Sequence, residues 1–165
     1  MLSYKTEVSY FNISKEIFDV IGEISSFFLT KNGLPKKIIY QEYSFLRVPK
    51  FQNDEIILGQ TIGDVNPHEL IIRIDNKAIY HKWNFDINNP SYVYLGQSVE
   101  SLSKALFIND FVVKRMILSG TLGNYHENHD KYATLLKEMI VDIEGEGILE
   151  SAWGNLIDEM RLGVI

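Results

Sequence analysis

The spacing of apolar residues changes twice along this chain, and that order limits the folds open to it. From Ser14 to about Lys31 apolar side chains recur every three or four residues, which is typical of one face of an α-helix. Between Lys37 and Leu95 β-branched and aromatic residues alternate with turn residues, and after Leu95 the helical spacing returns. Because no internal repeat and no Pro/Gly/Ser-rich linker divides the chain, this order predicts one α+β domain over residues 1–165.

The first helix has the clearest local pattern. Ser14 is predicted to cap its beginning, because a hydroxyl oxygen can accept hydrogen bonds from the first free backbone N–H groups. Gly33 and Pro35 are predicted to end it, since glycine tolerates a left-handed conformation and proline cannot continue a helix. The apolar positions on its predicted buried stripe are Ile17, Val20, Ile21, Ile24, Phe27 and Phe28.

The middle of the chain predicts an antiparallel β-meander of about five to six strands. Strands are predicted near residues 38–47, 55–61, 70–74, 78–83 and 92–95. Asp75, Asn76 and Lys77 separate two of these segments and predict a tight hairpin turn, because Asp and Asn tolerate positive φ. Connections this short favour antiparallel neighbours, since parallel strands need long crossovers.

The last third of the chain predicts helices that pack on the sheet. Ser98 is predicted to cap the first of them, and a polar loop over residues 123–128 separates it from a second helix that begins near Asp130. A third helix is predicted from about Glu150 and ends at Gly163. Its buried stripe is predicted to consist of Trp153, Leu156, Ile157 and Met160.

Acidic charge is concentrated at the C-terminal end. The chain has 16 basic and 22 acidic residues, and residues 127–165 alone account for the whole net charge of −6. A one-sided acidic field disfavours direct binding to nucleic acid and can steer a basic partner. The predicted partner-binding carboxylates are Asp142, Glu144, Glu146 and Glu150. The alternative is that these carboxylates only solvate the outer faces of amphipathic helices.

A second set of partner-binding candidates is aromatic. Aromatic side chains dominate the binding energy of many protein interfaces, and the first strands hold several of them. Tyr40 and Tyr43 are the leading candidates, with Phe45 and Phe51 beside them in the sequence. Packing of these rings in the core is the alternative.

No motif predicts a catalytic, cofactor-binding or metal-binding residue, and the protein is therefore not expected to be an enzyme. The absence of cysteine excludes disulfides, thiolate chemistry and cysteine-based metal centres. The segment that contains His126, Glu127, His129 and Asp130 begins in the predicted loop. Its two histidines are one residue closer together than the metalloprotease spacing requires. Ser98 lacks the glycine that a nucleophile elbow needs two residues later.

Two further expectations follow from the pattern of single residues. His68 and His81 have no neighbouring acid in the sequence, and ordinary surface or sheet-edge positions are expected for both. No stretch has the roughly 18 consecutive apolar residues of a membrane helix, and the first residues lack the apolar block of a signal peptide. A cytoplasmic protein with no membrane contact is expected.

Four segments, in this order, resemble a known family. They are FLTKNGLP at the end of the first helix, LIIRIDNKAIYHKW across a hairpin, YLGQSVESL from strand into helix, and WGNLIDEMRLG in the last helix. Together they resemble the SUKH superfamily, in its cell-wall-assembly-regulator-like branch, over nearly the whole chain. Bacterial members are mostly immunity proteins of polymorphic toxin systems.

The resemblance implies a non-enzymatic immunity protein, or antitoxin, that binds a cognate toxin domain, often a nuclease-like one. An interaction scaffold or regulatory module of the same superfamily is the alternative. A small metal-dependent hydrolase that uses His126, Glu127, His129 and Asp130 is a third possibility from a different class.

Overall fold

The computed structural model describes residues 7–86, 88–119 and 125–164, and for residues 125–127 the backbone only. Its fold is α+β, with a helix before an antiparallel sheet and helices after it, as the spacing of apolar residues predicts. The chain divides into one compact unit that ends at Glu100 and a second that begins at Ser101. The single domain over residues 1–165 stays a prediction. In the part of the chain that the structure describes, no helix has both the length and the apolar character needed to cross a bilayer.

The first helix, α1 (Lys15–Phe27), is interrupted at Gly22, and this corrects the predicted stripe. Ser14 caps α1 as predicted, and its Oγ accepts the N–H of Ile17 at 3.4 Å. Gly22 has φ +82° and ψ 175°, which is extended backbone that only glycine adopts readily. The buried positions before it, Ile17 and Ile21, are the predicted ones. Beyond Gly22 the buried residues are Ser25, Ser26 and Leu29, while Ile24 and Phe27 are exposed, because the break rotates the following turns.

A π-helical turn (Phe28–Asn32) follows α1 and ends at Gly33, which has φ +68°. A β-carbon at this glycine would lie 2.4 Å from the carbonyl oxygen of Ser9. This close approach lets β1 (Val8–Ser9) pair with β2 (Leu34–Pro35) in a small antiparallel sheet.

A six-stranded sheet forms the rest of the first unit, and every strand pairs with its neighbours in the chain. All five pairings are antiparallel, which confirms the meander. The strands are β3 (Lys37–Ile38), β4 (Gln41–Gln52), β5 (Glu55–Thr61), β6 (Glu69–Arg73), β7 (Ile79–Trp83) and β8 (Ser91–Gly96). The segment predicted as a strand over 38–47 is split by a turn at Ile39, which has φ +55°.

The predicted hairpin turn joins β6 to β7. Asp75 Oδ1 accepts the backbone N–H of Asn76 at 2.8 Å, and Asn76 Oδ1 accepts that of Ala78 at 3.0 Å. Lys77 takes the positive φ, at +61°. The turn is therefore where the sequence predicts it, but Asp75 and Asn76 stabilise it by local hydrogen bonds and not by taking the positive φ.

The helices of the second part of the chain are α2 (Val99–Ser119), α3 (Tyr125–Glu144) and α4 (Ala152–Leu162), with a 3₁₀ turn (Glu146–Glu150) between the last two. The predicted loop over 123–128 is wrong from residue 125 onward, where α3 has begun, and its first residues lie outside the described ones. His129 near the beginning of α3 bonds the carbonyl of Met160 near the end of α4, so these two helices run antiparallel. The predicted stripe on α4 is buried, and Gly163 ends the helix with φ +70°.

Candidate functional site

The four predicted partner-binding carboxylates lie where α3 gives way to α4, a segment (Asp142–Glu150) that we call the acidic turn. Asp142 is exposed in the last turn of α3, and Glu144 is the last residue of that helix and is half-buried. Gly145, with φ +81°, lets the chain leave the helix and enter the 3₁₀ turn. Glu146 and Glu150, at the two ends of that turn, are exposed. The four residues therefore lie within one short segment of the chain, and three of them are exposed.

The acidic turn is held firmly from its C-terminal side. Ser151 Oγ donates to the carbonyl of Ile148 at 2.5 Å and accepts the N–H of Trp153 at 3.2 Å, which caps α4. Trp153 is fully buried, and the α-carbon of Gly154 packs against the backbone of Leu149. The exposed carboxylates therefore stand on a backbone that packing has already ordered.

Three of the four carboxylates of the acidic turn lack an ion pair among the described residues. Asp142, Glu146 and Glu150 form no ion pair with any other residue that the structure describes. Arg161 is engaged elsewhere, with Asp130 and Asp158, each at 3.1 Å. Solvent or a binding partner must therefore balance the negative charge of these three carboxylates.

The predicted aromatic candidates fall into different environments. Tyr40 is exposed in the turn between β3 and β4, Phe51 is exposed near the end of β4, and Phe45 is half-buried. Tyr43 is 1% exposed, so the expectation that its ring is accessible to a partner is wrong. Its position on β4 directs the ring into the interior, where it stacks on Phe45 with ring centroids 5.8 Å apart.

Tyr43 belongs to a group of rings that the sequence did not predict, the histidine cluster, made up of Tyr43, His68, His81, Trp83 and Phe85. The first three are buried, Trp83 is half-buried and Phe85 is exposed. The two histidine rings lie 5.5 Å apart, and Trp83 contacts both, at 4.3 Å from His68 and 4.7 Å from His81. Both histidines are buried, which corrects the expectation of surface or edge positions. Strand pairing is the reason, because it brings the segment before β6 against β7.

The histidine cluster disfavours a positive charge on His81. Burial, helped by the neighbouring His68, lowers the pKa of His81 from 6.5 to about 4. Burial also raises the pKa of Tyr43, so its hydroxyl keeps its proton, and this hydroxyl shares a hydrogen bond with His81 Nδ1. His81 Nε2 is buried without a hydrogen-bond partner among the described residues.

The opposite face of the same strands holds a group of charged side chains, the ion cluster, made up of Glu55, Glu69, Arg73, Lys82 and Tyr92. Lys82 Nζ lies 2.7 Å from Glu55 Oε2 and 3.5 Å from Glu69 Oε2. The Tyr92 hydroxyl donates to Glu55 Oε1 at 2.7 Å, and the Arg73 guanidinium lies 5.7 Å from the centre of the Tyr92 ring. One lysine is therefore shared by two carboxylates that are largely withdrawn from solvent.

The protonation of the ion cluster follows from these contacts. Burial by itself lowers the pKa of Lys82, but the hydrogen bond and charge of Glu55 and the charge of Glu69 outweigh it, and the net shift is upward. Burial first, and then the bond to Glu55, raise the pKa of Tyr92. Lys82 is thus firmly cationic and Tyr92 firmly a donor at neutral pH.

The ion cluster forms the floor of a cleft of about 610 Å³. Its lining also includes amide side chains and two prolines, from the turn after β4 and the loops before β6 and β8. The full lining is Gln52, Asn53, Asp54, Glu55, Asn66, Pro67, Glu69, Arg73, Lys82, Asn84, Pro90 and Tyr92. Glu69 and Arg73 are four residues apart on β6, and Tyr92 and Tyr94 are two apart on β8, so each pair shares one face of its strand. This spacing was the available sign in the sequence that one face of the sheet is polar.

The described residues of the possible metal site make other contacts. His129 is buried and its Nδ1 donates to the carbonyl of Met160 at 2.9 Å, while Asp130 pairs with Arg161. The side chains of His126 and Glu127 lie outside the described residues. Among the residues that the structure does describe, no group of three or more His, Asp or Glu side chains is placed to hold a metal ion.

Comparison of the chain with protein-family models, with curated proteins and with solved structures finds no match.

Proposed function

We propose that this protein is a non-enzymatic immunity protein that binds and neutralises a cognate toxin domain, one that is basic and nuclease-like. The observation that supports the proposal best is the acidic turn, with its three exposed carboxylates that form no ion pair with the described residues. The resemblance of the sequence to the SUKH superfamily points in the same direction.

Charge complementarity gives the physical reason. A domain that cleaves nucleic acid needs a basic surface to bind phosphates. An acidic partner accelerates encounter with such a surface and occupies the groups that would bind the nucleic acid. Neutralisation then requires only a tight stoichiometric complex, and no chemistry by the immunity protein.

The pre-ordered backbone of the acidic turn favours tight binding of the toxin domain. Binding is weakened when side chains and loops must first be ordered. Ser151 and the buried Trp153 hold this turn before any partner arrives.

Co-expression tests the proposal. The protein is produced together with the toxin-like domain encoded beside it, and host survival and co-purification are measured. Survival with a stable one-to-one complex is expected. A host that dies despite normal production of the protein would contradict the proposal and favour an interaction scaffold, for which an unbiased pull-down is the next experiment.

Reversing charge in the acidic turn is expected to slow association with the toxin domain. For Glu146→Lys combined with Glu150→Lys we expect a loss of about tenfold in the association rate at low salt, because steering depends on the summed field, and a weaker dependence on salt. Stopped-flow fluorescence over a range of ionic strength measures both.

The matched control is Asp19→Lys with Glu23→Lys, two exposed acids on α1, which changes the net charge by the same amount. This control is expected to change the association rate much less. Equal slowing by both double variants would show that net charge alone matters and would remove the acidic turn as the contact site.

A further inference from the structure

We propose that the cleft over the ion cluster is a recognition site for a guanidinium group. The proposal is independent of the toxin partner, because it rests on the sheet unit and not on the acidic turn. It concerns a cleft of about 610 Å³, a size typical of ligand pockets.

The charges of the cleft favour a cation. Its lining has three carboxylates, Asp54, Glu55 and Glu69, against the two cations Arg73 and Lys82. Arg73 is further committed to Asp75, which its guanidinium reaches through Nε at 3.3 Å and Nη2 at 3.1 Å. The cleft and its rim together therefore hold an excess of negative charge.

An anion is disfavoured because both cations already pair with carboxylates. Lys82 serves both Glu55 and Glu69, and its side chain is 12% exposed. Both oxygens of Glu55 are engaged as well, one by Lys82 and the other by the Tyr92 hydroxyl. By contrast, Oε1 of Glu69 and the carboxylate of Asp54 have no partner among the described side chains.

The shape and chemistry of the lining favour guanidinium over a simple ammonium. Carboxylate and amide oxygens are planar acceptors that match the fork of N–H donors on a guanidinium, and this group is weakly hydrated and stacks on aromatic rings. The cleft already stacks one such group, because Arg73 lies over Tyr92. The amide side chains of Gln52, Asn66 and Asn84 supply further carbonyl oxygens at its rim.

Binding of N-acetyl-arginine amide to the full chain, followed by NMR titration, tests the proposal. Saturable binding is expected, with shifts at Glu69, Lys82 and Tyr92. The uncharged isostere N-acetyl-citrulline amide is expected to bind at least about tenfold more weakly, since a charge-assisted hydrogen bond is lost. Absence of saturable binding by the arginine compound, or equal binding of the two compounds, would overturn the proposal.

Two variants locate the site. Glu69→Gln is expected to weaken binding by about tenfold, whereas Glu23→Gln, an exposed acid on α1, is expected to leave it unchanged. Lys82→Met is expected to strengthen binding, because it frees Glu55 and Glu69 for the added cation. Unchanged binding by a folded Glu69→Gln protein would contradict the assignment even if Lys82→Met failed to fold.

Propylguanidine, a free guanidinium compound of the same charge without a peptide backbone, separates two sources of the ligand. Tighter binding of N-acetyl-arginine amide would identify the arginine side chain of a protein partner. Tighter binding of propylguanidine would identify a small free cation. Either result supports guanidinium recognition, and a preference for inorganic phosphate over both compounds would refute it.

Discussion

Replacing Gly154 by alanine is expected to destabilise the protein by about 3 kcal/mol, the upper end of the usual cost of overpacking. A β-carbon at this position would lie 1.9 Å from the carbonyl oxygen of Leu149 and 2.8 Å from its carbonyl carbon. These are backbone atoms of the 3₁₀ turn, so no side-chain rotation can relieve the clash. Either the acidic turn or the beginning of α4 must move, and the fully buried Trp153 next to Gly154 would lose its packing.

Urea unfolding followed by tryptophan fluorescence measures this effect, with Gly147→Ala as the matched control. Gly147 lies in the same turn, and a β-carbon there would meet nothing within 4 Å. The control is expected to stay within about 0.5 kcal/mol of the parent protein. A Gly154→Ala protein as stable as the control would mean that the packing of α4 on the 3₁₀ turn differs from that described here.

Lowering the pH from 6.5 to 4 is expected to cost about 3 kcal/mol of stability through His81. The pKa of His81 is about 4 in the folded protein, below the ordinary value of 6.5. Within this interval the unfolded chain takes up a proton that the folded protein does not, so stability falls as the pH falls. Above pH 6.5 the contribution is fully present, and below pH 4 the loss through this group is complete.

The groups around His81 explain why it resists protonation. Burial acts first, and the nearby His68 adds to it, while Asp64 opposes both with a weaker attraction. The neutral hydroxyl of Tyr43, which is hydrogen-bonded to His81, provides no negative charge. The attraction of Asp64 therefore does not offset the cost of charging this buried imidazole.

Urea unfolding at several pH values between 4 and 7.5 measures the prediction, with two variants. His81→Gln is expected to flatten the pH dependence, because glutamine does not titrate. Tyr43→Phe is expected to lower stability by about 1 kcal/mol at every pH and to keep the slope, because it removes a hydrogen bond but leaves the imidazole buried. An equal slope in the parent protein and in His81→Gln would assign the pH dependence to other groups.

Local patterns in the sequence were sufficient for much of the fold. The stripe on α4 and the glycine that ends it depend on neighbours three or four residues away, and both were predicted. The Asp75–Lys77 turn was also predicted from its own residues, although their hydrogen bonds hold it and the positive φ falls on Lys77. The kink in α1 was missed, because an isolated Gly22 inside a helical pattern is compatible with a continuous helix.

The candidate sites depended on contacts that the sequence does not contain. His68 and His81 meet because β6 pairs with β7, and Tyr43 reaches them from β4, 38 residues away from His81. The ion cluster similarly joins Glu55 on β5 to Lys82 on β7 across the strand that separates them. Without the pairing register, each of these residues appears in the sequence as an isolated polar residue in a strand. The acidic turn was found because its carboxylates are neighbours in the chain.

The meander has a kinetic consequence. Each of its strands pairs with the strand that follows it, so every pairing closes a short loop and the loss of chain entropy at each step is small. Sheets with such local pairing have low contact order, and low contact order accompanies fast folding. During synthesis each new strand emerges when its partner strand is already present. The sheet can therefore form strand by strand as the chain leaves the ribosome. This order shortens the time for which an unpaired edge could pair with another molecule.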